Sequence, residues 1–321
     1  MMSGLTITLR FLLLAALLFA ETALGALAPG DYEIALTHQN LRRSYLVHVP
    51  PQASEKRPLP VVLSFHGGGS TAEVMRAYTR MDISADRDGY IAVYPNGSSG
   101  IQGRFLTWNA GACCGPAAAL QIDDVGFALA VLDDVAARVP VDKARVYATG
   151  LSNGAMMAYR LAAEASPRIA AVAGVAGTMS VQSINPARPM PVMHIHSMQD
   201  HIARYDGGVG VPLSIADTRA FQMSVEDMLR KWLDHNGCPL KPAVVETIDG
   251  QRGTPDEAHA ALRRVYRPCR ERVEVVLLQL TGAGHVWPGG VRNYNPQLLG
   301  TGTAVVDANA EMWKFFSRYR R

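Results

Sequence analysis

The sequence predicts an α/β fold, a mostly parallel central sheet with helices on both faces in a single domain, and two observations carry that expectation. Short apolar runs of strand length recur along the chain, separated by longer segments with helical spacing. Near the middle, Gly150-Leu151-Ser152-Asn153-Gly154 sits where one such run meets one such helix, a G-x-S-x-G pattern on a strand-to-helix turn. Strands buried on both faces read as continuous apolar runs rather than alternating ones, as a parallel sheet requires.

In chain order, residues 45–49, 61–65 and 91–94 alternate or run apolar and read as strands. Residues 125–139 have helical spacing, with Asp123 and Asp124 placed to cap or charge the first turn. Residues 145–149 form the strand that enters the turn at Ser152, and residues 153–164, rich in Ala and Met, form the helix that leaves it. Further buried strands are expected at 169–175, 191–195 and 273–280. A helix at 307–319 closes the chain, its apolar face at Ala310, Trp313 and Phe316. Loops around 96–122 and 201–220 are long, and such loops commonly shape a cleft. No repeat, low-complexity tract or Ser/Thr/Pro-rich linker divides the chain, so one domain over 26–321 is expected.

With 321 residues, 48% hydrophobic and 18% charged, the chain can bury a large core. A net charge of +3 without a Lys/Arg run argues against a nucleic-acid partner. Arg10, the apolar run 11–20 and the small residues Ala23 and Gly25 read as a signal peptide over 1–25. That run is shorter than the roughly 20 residues that span a bilayer, so no stable membrane insertion is expected after cleavage. The mature chain is expected to start near Ala26 and to work outside the cytoplasm, extracellular or periplasmic. The four cysteines fit that compartment, with three connectivities possible. Cys238 and Cys269, distant in sequence, are the expected pair. Cys113 and Cys114 are adjacent and would make a strained vicinal bridge, so their pairing stays open. A zinc site would need a C-x₂-C spacing that the chain lacks.

A serine hydroxyl needs a base to become a nucleophile. Ser152 is the nucleophile candidate, and His285 the base, on a glycine-flanked loop after the strand at 273–280. A Ser-Asp-His chain order places the orienting acid between them; Asp200 follows the strand 191–195, with Asp206 and Asp217 as competitors. The backbone N–H groups of Gly68 and Asn153 are the candidate oxyanion hole: Gly68 lies in the His66-Gly67-Gly68-Gly69 loop after an early strand, and Asn153 follows the nucleophile. His66 is read as fixing that loop by hydrogen bonding. Two other pairs invite attention. His194 and His196 have an H-x-H spacing that suits a metal, but without a third ligand nearby they read as polar residues at a strand end. Asp123 and Asp124 resemble a paired-carboxylate site, but glycosidase carboxylates act from separate elements, so a helix N-terminal role is expected.

With these motifs in view, the chain resembles the secreted esterase family that includes polyhydroxybutyrate depolymerases and feruloyl esterases. The resemblance runs from about Asp31 to Phe316, through Leu63 to Gly69, Asp123 to Phe127, Gly150 to Gly154 and Gly284 to Gly289. Asn236-Gly237-Cys238 and Tyr266-Arg267-Pro268-Cys269 are similar to the flanks of the family's disulfide. The family's acid motif, H-G-x-x-D-x-x-V-P-Y-x-G-G, is matched from His196 to Gly208, which supports Asp200 as the acid; Ser197 and Ala203-Arg204 depart from it. The resemblance implies an α/β-hydrolase fold and hydrolysis of carboxylic esters without metal or organic cofactor. It does not settle the substrate. Family members that act on solid polyester typically carry a linker and a surface-binding domain. With Arg320-Arg321 directly after the last helix, the expectation is soluble esters: feruloyl or acetyl groups on plant polysaccharide, or short hydroxyalkanoate oligomers. Trp108, Asn109 and Trp287 are the candidates to contact the acyl or sugar group. The alternatives are a serine peptidase on the same fold and a catalytically inactive polysaccharide-binding relative.

Overall fold

A computed structural model describes residues 26–54, 56–98, 103–209, 221–292 and 294–321. The expected signal segment 1–25, Asp217 and half of the loop at 201–220 lie outside the described residues. The strands are β1 (Gly30–His38), β2 (Leu41–Val49), β3 (Leu59–Phe65), β4 (Ile91–Pro95), β5 (Val141–Leu151), β6 (Ala171–Val175), β7 (Val192–Ser197), β8 (Gly208–Val209), β9 (Phe221–Gln222), β10 (Val244–Asp249), β11 (Ala260–Tyr266) and β12 (Val275–Thr281). The main helices are α1 (Ala72–Thr79), α2 (Met81–Asp88), α3 (Gly115–Ala119), α4 (Asp124–Arg138), α5 (Asn153–Glu164), α6 (Val225–Asn236), α7 (Pro296–Leu299) and α8 (Ala308–Phe316).

A 10-stranded sheet runs in the order β1-β2-β4-β3-β5-β6-β7-β12-β11-β10. From β4 to β12 the neighbours are parallel, and an antiparallel hairpin closes each side. Every residue of β3, β4, β6 and β7 is buried, because helices cover both faces. Alternation along the strands divides the core in two. Val61, Leu63, Phe65 and Val93 pack with α4, α5 and α6, while Val62, Ala92, Tyr94 and Tyr147 pack with α1, α2 and α8.

α5 begins and ends where the sequence places it. The closing helix is shorter, and its deepest face is Met312, Phe315 and Phe316 rather than the Ala310 and Trp313 line. Trp313 instead lies on the flank, its ring stacked on Tyr90 at 4.8 Å. Asp123 caps α4 by accepting from Gly126 N–H at 2.8 Å. Asp124 is buried against the Arg43 guanidinium at 2.6 Å and accepts from Asn109 N–H, so the pair braces a helix start. No helix among the described residues is long and apolar enough to cross a membrane.

The chain passes from β3 to β4 on one side of β3, then returns to place β5 on its other side. At such a reversal the loops leaving the carboxyl ends of the two strands diverge and open a crevice. The loops after β3 and β5 carry the glycine segment and Ser152.

Cys238–Cys269 ties the end of α6 to the β11–β12 connection, and Cys113 is bridged to Cys114. The first bridge closes a loop with a sequence separation of 31, which the chain-entropy relation values at about 4 kcal/mol. A Cys238→Ser/Cys269→Ser double variant is expected to lose stability of that order in a denaturant titration with little change in kcat. An unchanged midpoint would show that the crosslink adds nothing to the fold.

Candidate active site

Ser152 stands between β5 and α5 with φ 58° and ψ −123°, a region that L-residues avoid and that costs of order 1–3 kcal/mol. The neighbourhood enforces it: the Ser152 N–H donates to the Val175 carbonyl at 2.9 Å, and the Ser152 carbonyl accepts from Met156 N–H at 3.1 Å. Two glycines allow the close approach that the turn needs. A β-carbon on Gly150 would stand 2.4 Å from the Gly154 carbonyl, and one on Gly154 would stand 2.1 Å from the Phe65 carbonyl. The start of α5 is thereby pressed against the end of β3.

Added β-carbons on Gly67 and Gly68 would lie 3.5 Å from Ser152 Cβ and 3.6 Å from Asn153 Cβ, so the glycine loop lies alongside the turn. The Asn153 N–H opens α5, among the four donors that a helix leaves without an intrahelical partner. Asn153 is itself clamped: its Oδ1 accepts from Trp108 N–H at 2.8 Å and its Nδ2 donates to the Trp108 carbonyl at 3.1 Å. His66 sets the other side. Its Nδ1 donates to the Gly67 carbonyl at 2.8 Å, and its Nε2 accepts from Gly97 N–H at 2.9 Å. Because the Gly67 carbonyl and the Gly68 N–H share one peptide plane, this bond also aims the Gly68 N–H.

Burial, assisted by the nearby Arg43 charge, pushes the His66 imidazole down to about 4. The native ring therefore stays neutral at pH values where an unfolded chain, titrating near 6.5, takes up a proton. Stability is full above pH 6.5 and falls as pH drops towards 4, by about 3 kcal/mol if His66 acts alone. His194, also held well below its ordinary value by burial, adds loss of the same sign. Unfolding midpoints between pH 7.5 and 4.5 should show this decline, and His66→Asn should flatten it. A slope identical in the variant would remove His66 as its source.

His285 lies on the loop after β12, its N–H bonded to the Leu299 carbonyl at 2.6 Å. Its Nδ1 donates to Asp200 Oδ2 at 2.7 Å, while its buried Nε2 has no hydrogen-bond partner among the described residues. Asp200 Oδ1 accepts the N–H groups of Ile202 and Ala203 at 2.9 and 2.8 Å. Burial by itself raises this carboxyl, but His285 and His196 outweigh it and hold it well below the usual carboxylate range. Ser197, which departs from the family motif, donates to the Ala283 carbonyl and so ties the acid loop to the base loop. Asp206, the competitor, is exposed.

Ser152 and His285 both line a cleft of about 270 Å³ whose walls include Met75, Tyr78, Phe105, Tyr294 and Leu298. Tyr78 and Tyr294 stack at 4.8 Å, and Tyr294, Phe105 and Leu298 are exposed at the rim. The structure corrects the expected substrate contacts. Trp108, Asn109 and Trp287 are buried and none lines the cleft. Their polar atoms are already used: Trp108 Nε1 donates to the His66 carbonyl at 2.9 Å, Asn109 Nδ2 to the Ile122 carbonyl at 2.9 Å, and Trp287 Nε1 to Asn309 at 3.1 Å. They brace the loops behind the cleft. The 96–122 loop does reach the cleft through Phe105, but most of the apolar rim comes from residues 294–299, which no sequence signal marked. The Tyr78-to-Trp287 hydrogen bond, N–H to Oη at 2.9 Å, joins that rim to the His285 loop.

The family model described as esterase PHB depolymerase matches residues 43–220. A protein of Nocardia uniformis subsp. tsuyamanensis named as an esterase, NocK, is 32% identical over 80% of this chain and 74% of its own length. Feruloyl esterase B of Piromyces equi and the bifunctional acetylxylan esterase/xylanase XynS20E of Neocallimastix patriciarum are each 26% identical, over 76% and 77% of this chain. The matched region spans only 42% and 31% of those two longer proteins. Among solved structures, an acetyl xylan esterase from Aspergillus awamori aligns with a TM-score of 0.52 at 15% identity, covering 89% of this chain and 99% of its own. A thermostable esterase aligns with a TM-score of 0.56 at 12% identity, covering 91% of this chain and 63% of that one. At these identities the two structures show a shared fold.

Proposed function

Because the chain belongs to the esterase PHB depolymerase family and is a carboxylic ester hydrolase, we propose that it works through an acyl-enzyme on Ser152, with His285 as base and Asp200 as its orienting acid. The observation that carries this reading is the 2.7 Å Asp200–His285 hydrogen bond, which leaves the unpartnered Nε2 on a ring that shares the cleft with Ser152. His285 Nε2 takes the Oγ proton as Oγ attacks the ester carbonyl. The tetrahedral oxyanion is met by the N–H groups of Gly68 and Asn153, aided by the positive end of α5. Collapse transfers the proton from His285 to the departing alcohol, and water repeats the sequence to release the acid. The chain is exported after removal of residues 1–25, a reading supported by its two disulfides.

The substrate reading is feruloyl or acetyl esters of plant polysaccharide, as the relatives' names suggest. The stacked Tyr78–Tyr294 wall favours an aromatic acyl group between these two, since such contacts add about 0.5–1.5 kcal/mol beyond burial. Of methyl ferulate, acetylated xylan and hydroxybutyrate oligomers, methyl ferulate should show the highest kcat/KM. Tyr294→Ala should lower that value up to about 10-fold while sparing acetate esters. Fastest turnover of the oligomers, unaffected by Tyr294→Ala, would move the reading to hydroxyalkanoate esters.

A further inference from the structure

His194 and His196 project from the same face of β7 and are fully buried. The nucleophile, base and acid account for neither. All four of their ring nitrogens are engaged within the chain, and with both rings neutral the partners order the protons. His196 Nε2 faces two groups that only accept, the Ala203 carbonyl at 2.6 Å and the ionised Asp200 Oδ2 at 3.3 Å. It therefore carries a hydrogen, and in the neutral ring His196 Nδ1 is then an acceptor. His194 Nε2 donates to it at 3.0 Å, so His194 Nδ1 in turn accepts the Tyr159 hydroxyl at 2.7 Å. Tyr159 lies two turns after Ser152 on α5, its ring against Gly174, where a β-carbon would come within 2.6 Å of it. The other ring at His196 is that of Tyr205, edge-on at 5.8 Å.

We propose that Tyr159, His194 and His196 form a positioning chain for Asp200, running from the helix that follows Ser152 to the carboxylate that orients His285. The proposal rests on the Ser152–His285–Asp200 reading above. His196 Nε2 donates to the Ala203 carbonyl and stands 3.3 Å from Oδ2, while the N–H groups of Ile202 and Ala203 hold Oδ1, so the plane the carboxylate offers to His285 is set. A misdirected carboxylate would leave substrate binding untouched and slow the proton transfers.

The test measures kcat, KM and thermal midpoint on an aryl acetate for four variants of the mature protein. His196→Leu should lower kcat by roughly 10–100-fold, the range for partners that orient a reacting group, with KM within about twofold. His196→Gln, whose amide Nε2 occupies nearly the same place, should recover most of that loss. Tyr159→Phe should lower kcat a few-fold with little change in midpoint, and it decides the matter if His196→Leu does not fold. Wild-type kcat in a folded His196→Leu, or equal losses of kcat and midpoint in the Leu and Gln variants, would overturn the proposal. The fourth variant, Asp200→Asn, separates the two readings: if it keeps full activity, the acid assignment fails, whatever His196 does.

Discussion

Ser152→Ala is expected to lower kcat/KM on a soluble aryl ester by about 10⁴–10⁶-fold with the fold unchanged. On the proposed mechanism the loss is large because the nucleophile itself is removed, which leaves binding and the proposed oxyanion donors. The fold should survive because backbone bonds hold the turn, from Ser152 N–H to the Val175 carbonyl and from Met156 N–H to the Ser152 carbonyl. Alanine also tolerates the strained φ of 58° no worse than serine does. Circular dichroism and the unfolding midpoint should match the wild type. Retained hydrolysis in the variant would move the nucleophile elsewhere.

Asp200→Asn is expected to lower kcat by up to roughly 10⁴-fold, and the reason is a tautomer. If the amide oxygen keeps the two N–H groups now held by Oδ1, the new NH₂ faces His285 Nδ1 and His196 Nε2–H. His285 then becomes an acceptor at Nδ1 and carries its proton on Nε2, where it can no longer take one from Ser152. The same NH₂ opposes the His196 donor, so a modest fall in thermal midpoint should accompany the loss of rate. Asp206→Asn, at an exposed position, should be close to silent. A silent Asp200→Asn with an inactive Asp206→Asn would reassign the acid.

Much of this was legible in the sequence because the informative features are local. The apolar runs of β3, β4, β6 and β7 mark buried strands directly, and α5 is bounded by the turn at Ser152 and by its own composition. The edge strands were not legible: β1 and β10 expose much of their length, so their polar residues mask the pattern. α6 carries a signal at each end, since Ser224 caps Asp227 N–H and Gly237 ends the helix in the left-handed region. The glycine loop and Asp200–His285 could be named from chain order, but their contacts depend on pairings across 85 residues. The cleft walls are not legible in the sequence for a physical reason. Large aromatics near a site motif suit both a ligand surface and a buried brace, and only burial separates Trp108 and Trp287 from Tyr78 and Tyr294. His194 and His196 looked like an incomplete metal site because spacing shows neighbours and not where each ring nitrogen points.

Reaction of the mature protein with a serine-directed fluorophosphonate, followed by peptide mapping, tests the acyl-enzyme on Ser152 most directly. One adduct is predicted, on the peptide that carries Ser152, formed in step with the loss of esterase activity and absent from Ser152→Ala. An adduct on another residue, with hydrolysis retained in Ser152→Ala, would contradict it.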